Sequence, residues 1–83
     1  MKHFYAIYDK VAERYNLVME QPSDVQAMRT LAMEARNPNS FIKNFIDDYD
    51  LYKIATYNEE NGKFENIEPP KLLAHATRYK EEN

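Results

Sequence analysis

The stretch from Asp48 to Glu68, DYDLYKIATYNEENGKFENIE, decides the fold of this chain. Leu51 to Tyr57 runs Leu-Tyr-Lys-Ile-Ala-Thr-Tyr, an alternation rich in the β-branched and aromatic side chains that suit a pleated, half-covered surface. Glu59-Glu60-Asn61-Gly62 follows as a turn, and a second short alternating run starts at Lys63. A type I turn ending on a glycine in the left-handed region closes short hairpins in this way. Gly62 is the only glycine of the chain. A residue with a Cβ would pay roughly 1 kcal/mol or more for the same backbone. The stretch therefore predicts a β-hairpin hinged at Gly62.

Upstream, Lys2 to Asp9 alternates with apolar side chains on both parities, Phe4, Ala6 and Tyr8 on one and Tyr5 and Ile7 on the other. That pattern fits a strand with both faces occupied. Asp9 to Glu13 contains no glycine, which predicts a turn longer than two residues. Arg14 to Glu20 reads as the partner strand, with Tyr15, Leu17 and Met19 assigned to one face and Val18 to the other. Pro22-Ser23-Asp24-Val25-Gln26 is a helix start: Ser23 as cap, Gln26 completing a capping box, and Asp24 at the positive end of the dipole. Val25, Met28, Leu31, Ala32 and Ala35 then fall on one helical face, and Asn37-Pro38-Asn39 ends the helix. Ser40 caps a short second helix through Phe41, Ile42, Phe45 and Ile46. Pro69-Pro70 is read as the stop of the last strand, with a terminal helix over Lys71 to Glu82 through Leu72, Leu73, Ala76 and Tyr79.

The order β-β-α-(α)-β-β-α defines an α+β fold, a small antiparallel sheet made from two β-hairpins with the main helix packed on one face. Residues 1–70 form a single domain and residues 71–83 a C-terminal helix or tail. A chain of 83 residues buries only around two-thirds of its unfolded surface, and without cysteine it has no disulfide or thiolate metal site to add stability. Oligomerisation is the common remedy, and seven tyrosines supply side chains for it. One helix can cover only one sheet face, so aromatics of the first strand are left on the other. A partner is implied, either a second copy of the chain or a stacked base.

The N-terminal apolar run meets Asp9-Lys10 too soon for a signal peptide, and no run is long enough to span a bilayer, so a cytoplasmic protein is expected. His3 and His75 are far apart and fall in no metal-ligand spacing, so both read as exposed polar residues. Asp47, Asp48 and Asp50 lack the glycine and glutamate of a calcium loop. No nucleophile motif is present, and one glycine cannot make a phosphate-cradling loop. Neither enzymatic activity nor a cofactor is expected.

The remaining constellation interleaves aromatic with basic residues. Lys2, Tyr5, Tyr8, Lys10, Arg14 and Tyr15 line the first hairpin, and Tyr52, Lys53, Tyr57, Lys63 and Phe64 the second. Platforms of this kind bind single-stranded nucleic acid, at about 1–3 kcal/mol for each base stacked on an aromatic ring. The nucleic-acid candidates are Tyr5, Tyr8, Tyr52 and Tyr57 for stacking, with Lys2, Lys10, Arg14 and Lys53 for phosphate. The same residues also suit a sheet core or a dimer seam with lysines guarding its edge. A net charge of −3 speaks against coating nucleic acid by bulk electrostatics.

FYAIYDKVAERYN and DLYKIATYNEENGKFE together resemble the small non-structural protein of gokushovirus-type microviruses, icosahedral phages with circular single-stranded DNA. The resembling stretches are Tyr5 to Glu13, Ser23 to Arg36, Asp50 to Ile54 and Asn58 to Lys63, within residues 2–68. The resemblance implies a DNA-associated role in the host bacterial cytoplasm, in the switch from double-stranded replication to single-strand synthesis and packaging. It implies possible contacts with phage replication or capsid-assembly proteins and assigns no residue.

Overall fold

A computed structural model describes residues 1–80. Two strands come first, β1 (Lys2–Asp9) and β2 (Arg14–Gln21), followed by the helices α1 (Asp24–Arg36) and α2 (Phe41–Asn44). A 3-10 turn at Ile46–Asp48 leads into β3 (Tyr49–Asn58) and β4 (Lys63–His75), and a second 3-10 turn at Ala76–Tyr79 ends the described fold. The four strands form one sheet in the order β2-β1-β3-β4, with every neighbouring pair antiparallel. The two strands with apolar residues on both parities, β1 and β3, hold the centre. The molecule measures 48 × 23 × 18 Å. Its shortest dimension is that of one sheet plus one helix layer of about 10–12 Å.

Both hairpins close by local hydrogen bonds. Asp9 Oδ1 accepts from the Val11 and Ala12 amides at 3.0 and 3.1 Å, and Glu13 takes a left-handed φ of 56°. In the second hairpin the Gly62 amide donates to the Asn58 carbonyl at 2.8 Å, with φ 73° at Gly62 as the turn requires. Asn58 and Asn61 side chains accept from Glu60 and Lys63 amides.

Ser23 caps α1, its Oγ accepting from the Gln26 amide at 3.2 Å. The buried stripe of α1 is Ala27, Leu31 and Ala35, whereas Val25 is 61% exposed. Leu31 and Ala35 of the expected face are buried and Met28 packs against the core, so the correction is confined to Val25, whose place Ala27 takes. Asp24 is drawn to the sheet by a hydrogen bond from Tyr5, which turns Val25 outward and Ala27 inward. These residues join Tyr5, Ile7, Ile42, Leu51, Ala74 and Ala76 in one core on the helix side. Full burial of a side chain such as Leu31 contributes about 1.5–3 kcal/mol.

Two further expectations are overturned. In β2, Tyr15 pairs with Tyr8 and Met19 with Tyr5, so they lie on opposite faces rather than one. A bulge over Leu17 and Val18, with Leu17 at φ 49°, flips the parity between them. At the C-terminal end, Pro69-Pro70 does not stop β4, and Lys71 to His75 form strand rather than helix. Lys53 pairs with Lys71 and Ala55 with Asn66, so the segment between bulges out opposite Ile54 and makes no ladder pairs there. Prolines are tolerated in such a segment of an edge strand because no amide is required of them. Ala74 and Ala76 are buried, which places this stretch in the sheet domain rather than in a tail. Glu81 and Glu82 lie outside the described residues.

Candidate functional site

The helices and both 3-10 turns lie on one side of the sheet, and among the described residues no element covers the other side. Alternation along β1 puts Phe4, Ala6 and Tyr8 on this open face, opposite Ala55, Tyr52 and Asp50 of β3. Tyr15 of β2 pairs with Tyr8, and Phe64 of β4 pairs with Tyr57. The rings gather into two clusters. Tyr8, Tyr15 and Tyr52 form a triad with centroids 4.6 to 5.9 Å apart. Phe64 contacts Phe4 at 5.4 Å and Tyr57 at 4.7 Å. Such tilted and edge-to-face pairs are the favoured aromatic geometry, worth about 0.5–1.5 kcal/mol beyond the area they bury. Ala6 and Ala55 lie between the clusters, which stand four residues or about 13 Å apart along β1, and are buried beneath the neighbouring side chains. Phe64 is 60% and Tyr15 45% exposed, so ring surface is available to a partner.

The charges of this face are nearly balanced. Lys2 pairs with Glu20 at 3.9 Å, both about half exposed. Asp50 is buried at the end of the tyrosine triad and is held by His75 Nδ1 at 2.7 Å and Lys10 Nζ at 3.7 Å. Burial, followed by the nearby Asp50 carboxylate and the two neighbouring tyrosines, raises the Tyr52 hydroxyl above its usual range and keeps it protonated. His75 therefore has a structural partner that the sequence reading did not assign. His3 is half-buried, with its Nδ1 out of solvent and no hydrogen-bond partner among the described residues.

The eight candidates do not form one surface. Tyr8, Tyr52 and Tyr57 are on the open face with Lys2, and Lys10 joins them through Asp50. Arg14 stands exposed at the start of β2, level with Asp9. Tyr5 and Lys53 are on the covered side. Tyr5 is fully buried, donating its hydroxyl to Asp24 Oδ1 at 2.6 Å. Lys53 Nζ lies 3.4 Å from the same carboxylate and 5.9 Å from the centre of the Tyr5 ring. A base cannot stack on Tyr5, nor can Lys53 leave Asp24 without disturbing the core edge. Phe4, Tyr15 and Phe64 complete the two ring clusters of the open face. Phe4 follows from its parity with Ala6 and Tyr8; Tyr15 and Phe64 stand in the aromatic-basic constellation of the sequence but not among its stacking candidates.

No group of three His, Cys, Asp or Glu side chains among the described residues is placed to hold a metal, and no helix there is long and apolar enough to cross a membrane.

The fold and face define a two-layer α+β protein with one covered and one uncovered aromatic sheet face. A family model described as Phage ORF5 protein matches residues 2–79, and the chain belongs to that family: it is a phage protein. No curated protein and no solved structure matches it.

Proposed function

We propose that this phage protein is the DNA-associated non-structural protein of a gokushovirus-type microvirus, binding single-stranded DNA and regulating the switch from genome replication to single-strand synthesis and packaging. The observation that carries this reading is the uncovered sheet face, with six rings in two clusters flanked by Lys2 and Lys10, whereas Arg14 pairs with Asp9 on the helix side. Bases stack on Tyr8, Tyr15 or Tyr52 and on Phe64 or Tyr57, and the backbone passes from one cluster to the other. An exposed lysine–carboxylate pair such as Lys2–Glu20 is worth about 0–1 kcal/mol, so Lys2 can trade its present partner for phosphate at small cost, while Lys10, itself about half exposed, leaves the buried Asp50 to His75. With a net charge of −3, binding is weak and falls steeply with salt. Fluorescence anisotropy with a labelled oligothymidine at low salt tests this. A folded protein that shows no binding there ends the DNA reading.

A second reading is a non-enzymatic module whose open face docks on protein, as a dimer seam or on phage replication or capsid-assembly proteins. The carboxylates that neutralise the lysines of the face favour it. Tyrosine-to-alanine changes on the strands would abolish protein association under this reading and mainly DNA binding under the first.

A further inference from the structure

The two edges of the sheet are guarded very differently. β4 carries Pro69, Pro70 and Lys71, the devices that keep an edge from pairing. β2 has neither proline nor lysine, and its one irregularity is the bulge at Leu17 and Val18. Leu17 and Val18 are 51% and 61% exposed there, and Phe41 beside them is 47% exposed. Behind them lies an apolar groove of about 390 Å³ floored by Ile7, Leu31 and Ile42.

We propose that β2 is the seam of a homodimer, pairing antiparallel with β2 of a second copy about a two-fold axis between Leu17 and Val18. This inference does not rest on DNA contact. Three features favour a second copy as the occupant. First, β2 carries one charge of each sign, Arg14 at its start and Glu20 near its end, so antiparallel pairing with a second copy sets unlike rather than like charges near each other. Second, the bulge makes the register consistent. Its parity flip lets open-face Tyr15 meet open-face Glu20 of the second copy, and helix-side Asn16 meet helix-side Met19. A regular strand centred at the same point would set opposite faces against each other. Third, Leu17 then faces Val18 across the axis in both directions, burying the exposed apolar pair over the groove. The product is an eight-stranded sheet whose two open faces are continuous, with a tyrosine triad on either side of the seam.

Sedimentation velocity of the full chain reads the outcome. The expected result is a dimer of two 9.9 kDa chains for the wild type and for Tyr52→Ala, and a monomer with unchanged circular dichroism for Val18→Lys. A wild type that stays monomeric at high micromolar concentration overturns the proposal. So does a dimer that survives Val18→Lys, or one that Tyr52→Ala also dissolves, since the latter moves the seam to the open face. Should Val18→Lys fail to fold, hydrogen exchange on the wild type decides. The β2 amides not bonded to β1 gain protection as concentration rises if the seam is there, and an unchanged rate overturns it. DNA binding by the wild type is read separately, so failure of the seam and failure of the DNA reading remain distinguishable.

Discussion

The Tyr5 hydroxyl donates to the Asp24 carboxylate at 2.6 Å, fastening the central strand to the first turn of α1 across nineteen positions of sequence. Burial, and after it this hydrogen bond and the carboxylate's charge, raise the Tyr5 hydroxyl far above its usual range. The same bond, with Lys53 adding to it, holds the Asp24 carboxyl below the usual carboxylate range. Asp24 is thus ionised and bonded in the folded state, and its contribution is present above the ordinary aspartate value. It is lost as pH falls from about 4 towards the lower folded value. Tyr5→Phe should cost about 1–2 kcal/mol at neutral pH and flatten the loss of stability below about pH 4. Urea titrations of both proteins across that range check this; parallel pH profiles would refute the coupling.

Gly62 is a cleaner test of backbone preference. Its φ is 73°, and a Cβ added there would meet only the Tyr57 hydroxyl, at 3.9 Å, an ordinary contact. The cost of Gly62→Ala is therefore conformational, about 1 kcal/mol, with the hairpin register unchanged. Thermal unfolding gives the stability, and amide exchange across Tyr57 and Phe64 reports the register.

The platform reading makes a quantitative demand on Tyr52, whose ring joins the triad from the central strand β3. Tyr52→Ala should lose about 1–3 kcal/mol of affinity for oligothymidine, roughly 5- to 150-fold. Anisotropy titrations at several salt concentrations also give the number of phosphates neutralised, at a slope of about −0.7 each for a single strand. An affinity unmoved by Tyr52→Ala would remove the triad from the site.

Local chemistry was readable from the sequence because it depends on few neighbours. The Ser23 and Ser40 caps, the end of α1 at Asn37, and the Gly62 hinge are all set within four or five residues. What was not readable depends on pairing partners. The β2 bulge exists because Leu17 and Val18 face the single residue Ala6, and no periodicity within Arg14 to Gln21 announces that. Pro69-Pro70 ends a strand by local rules, yet here the prolines fall where β4 bulges away from Ile54. The site divided along the same line. Strand alternation alone separates Tyr5 from Tyr8, but it takes the covering helix to say which face is open. Lys53 could not be placed until Asp24 was seen above it.

That placement yields a paired prediction. Lys53 is 16% exposed and salt-bridged to Asp24, whereas Lys10 is 45% exposed beside the open face. Lys53→Met should lower stability by about 1 kcal/mol, through the lost ion pair and its contact with the Tyr5 ring, and leave DNA affinity unchanged. Lys10→Ala should do the reverse. Stability should stay within about 0.5 kcal/mol, since Asp50 keeps His75 as its partner, while affinity falls and the salt slope loses about 0.7. Denaturant curves and salt-series anisotropy on the two variants measure both axes. If Lys53→Met weakened DNA binding as much as Lys10→Ala, with stability intact, the strand would be bound on the helix side of the sheet and the open face would belong to another partner.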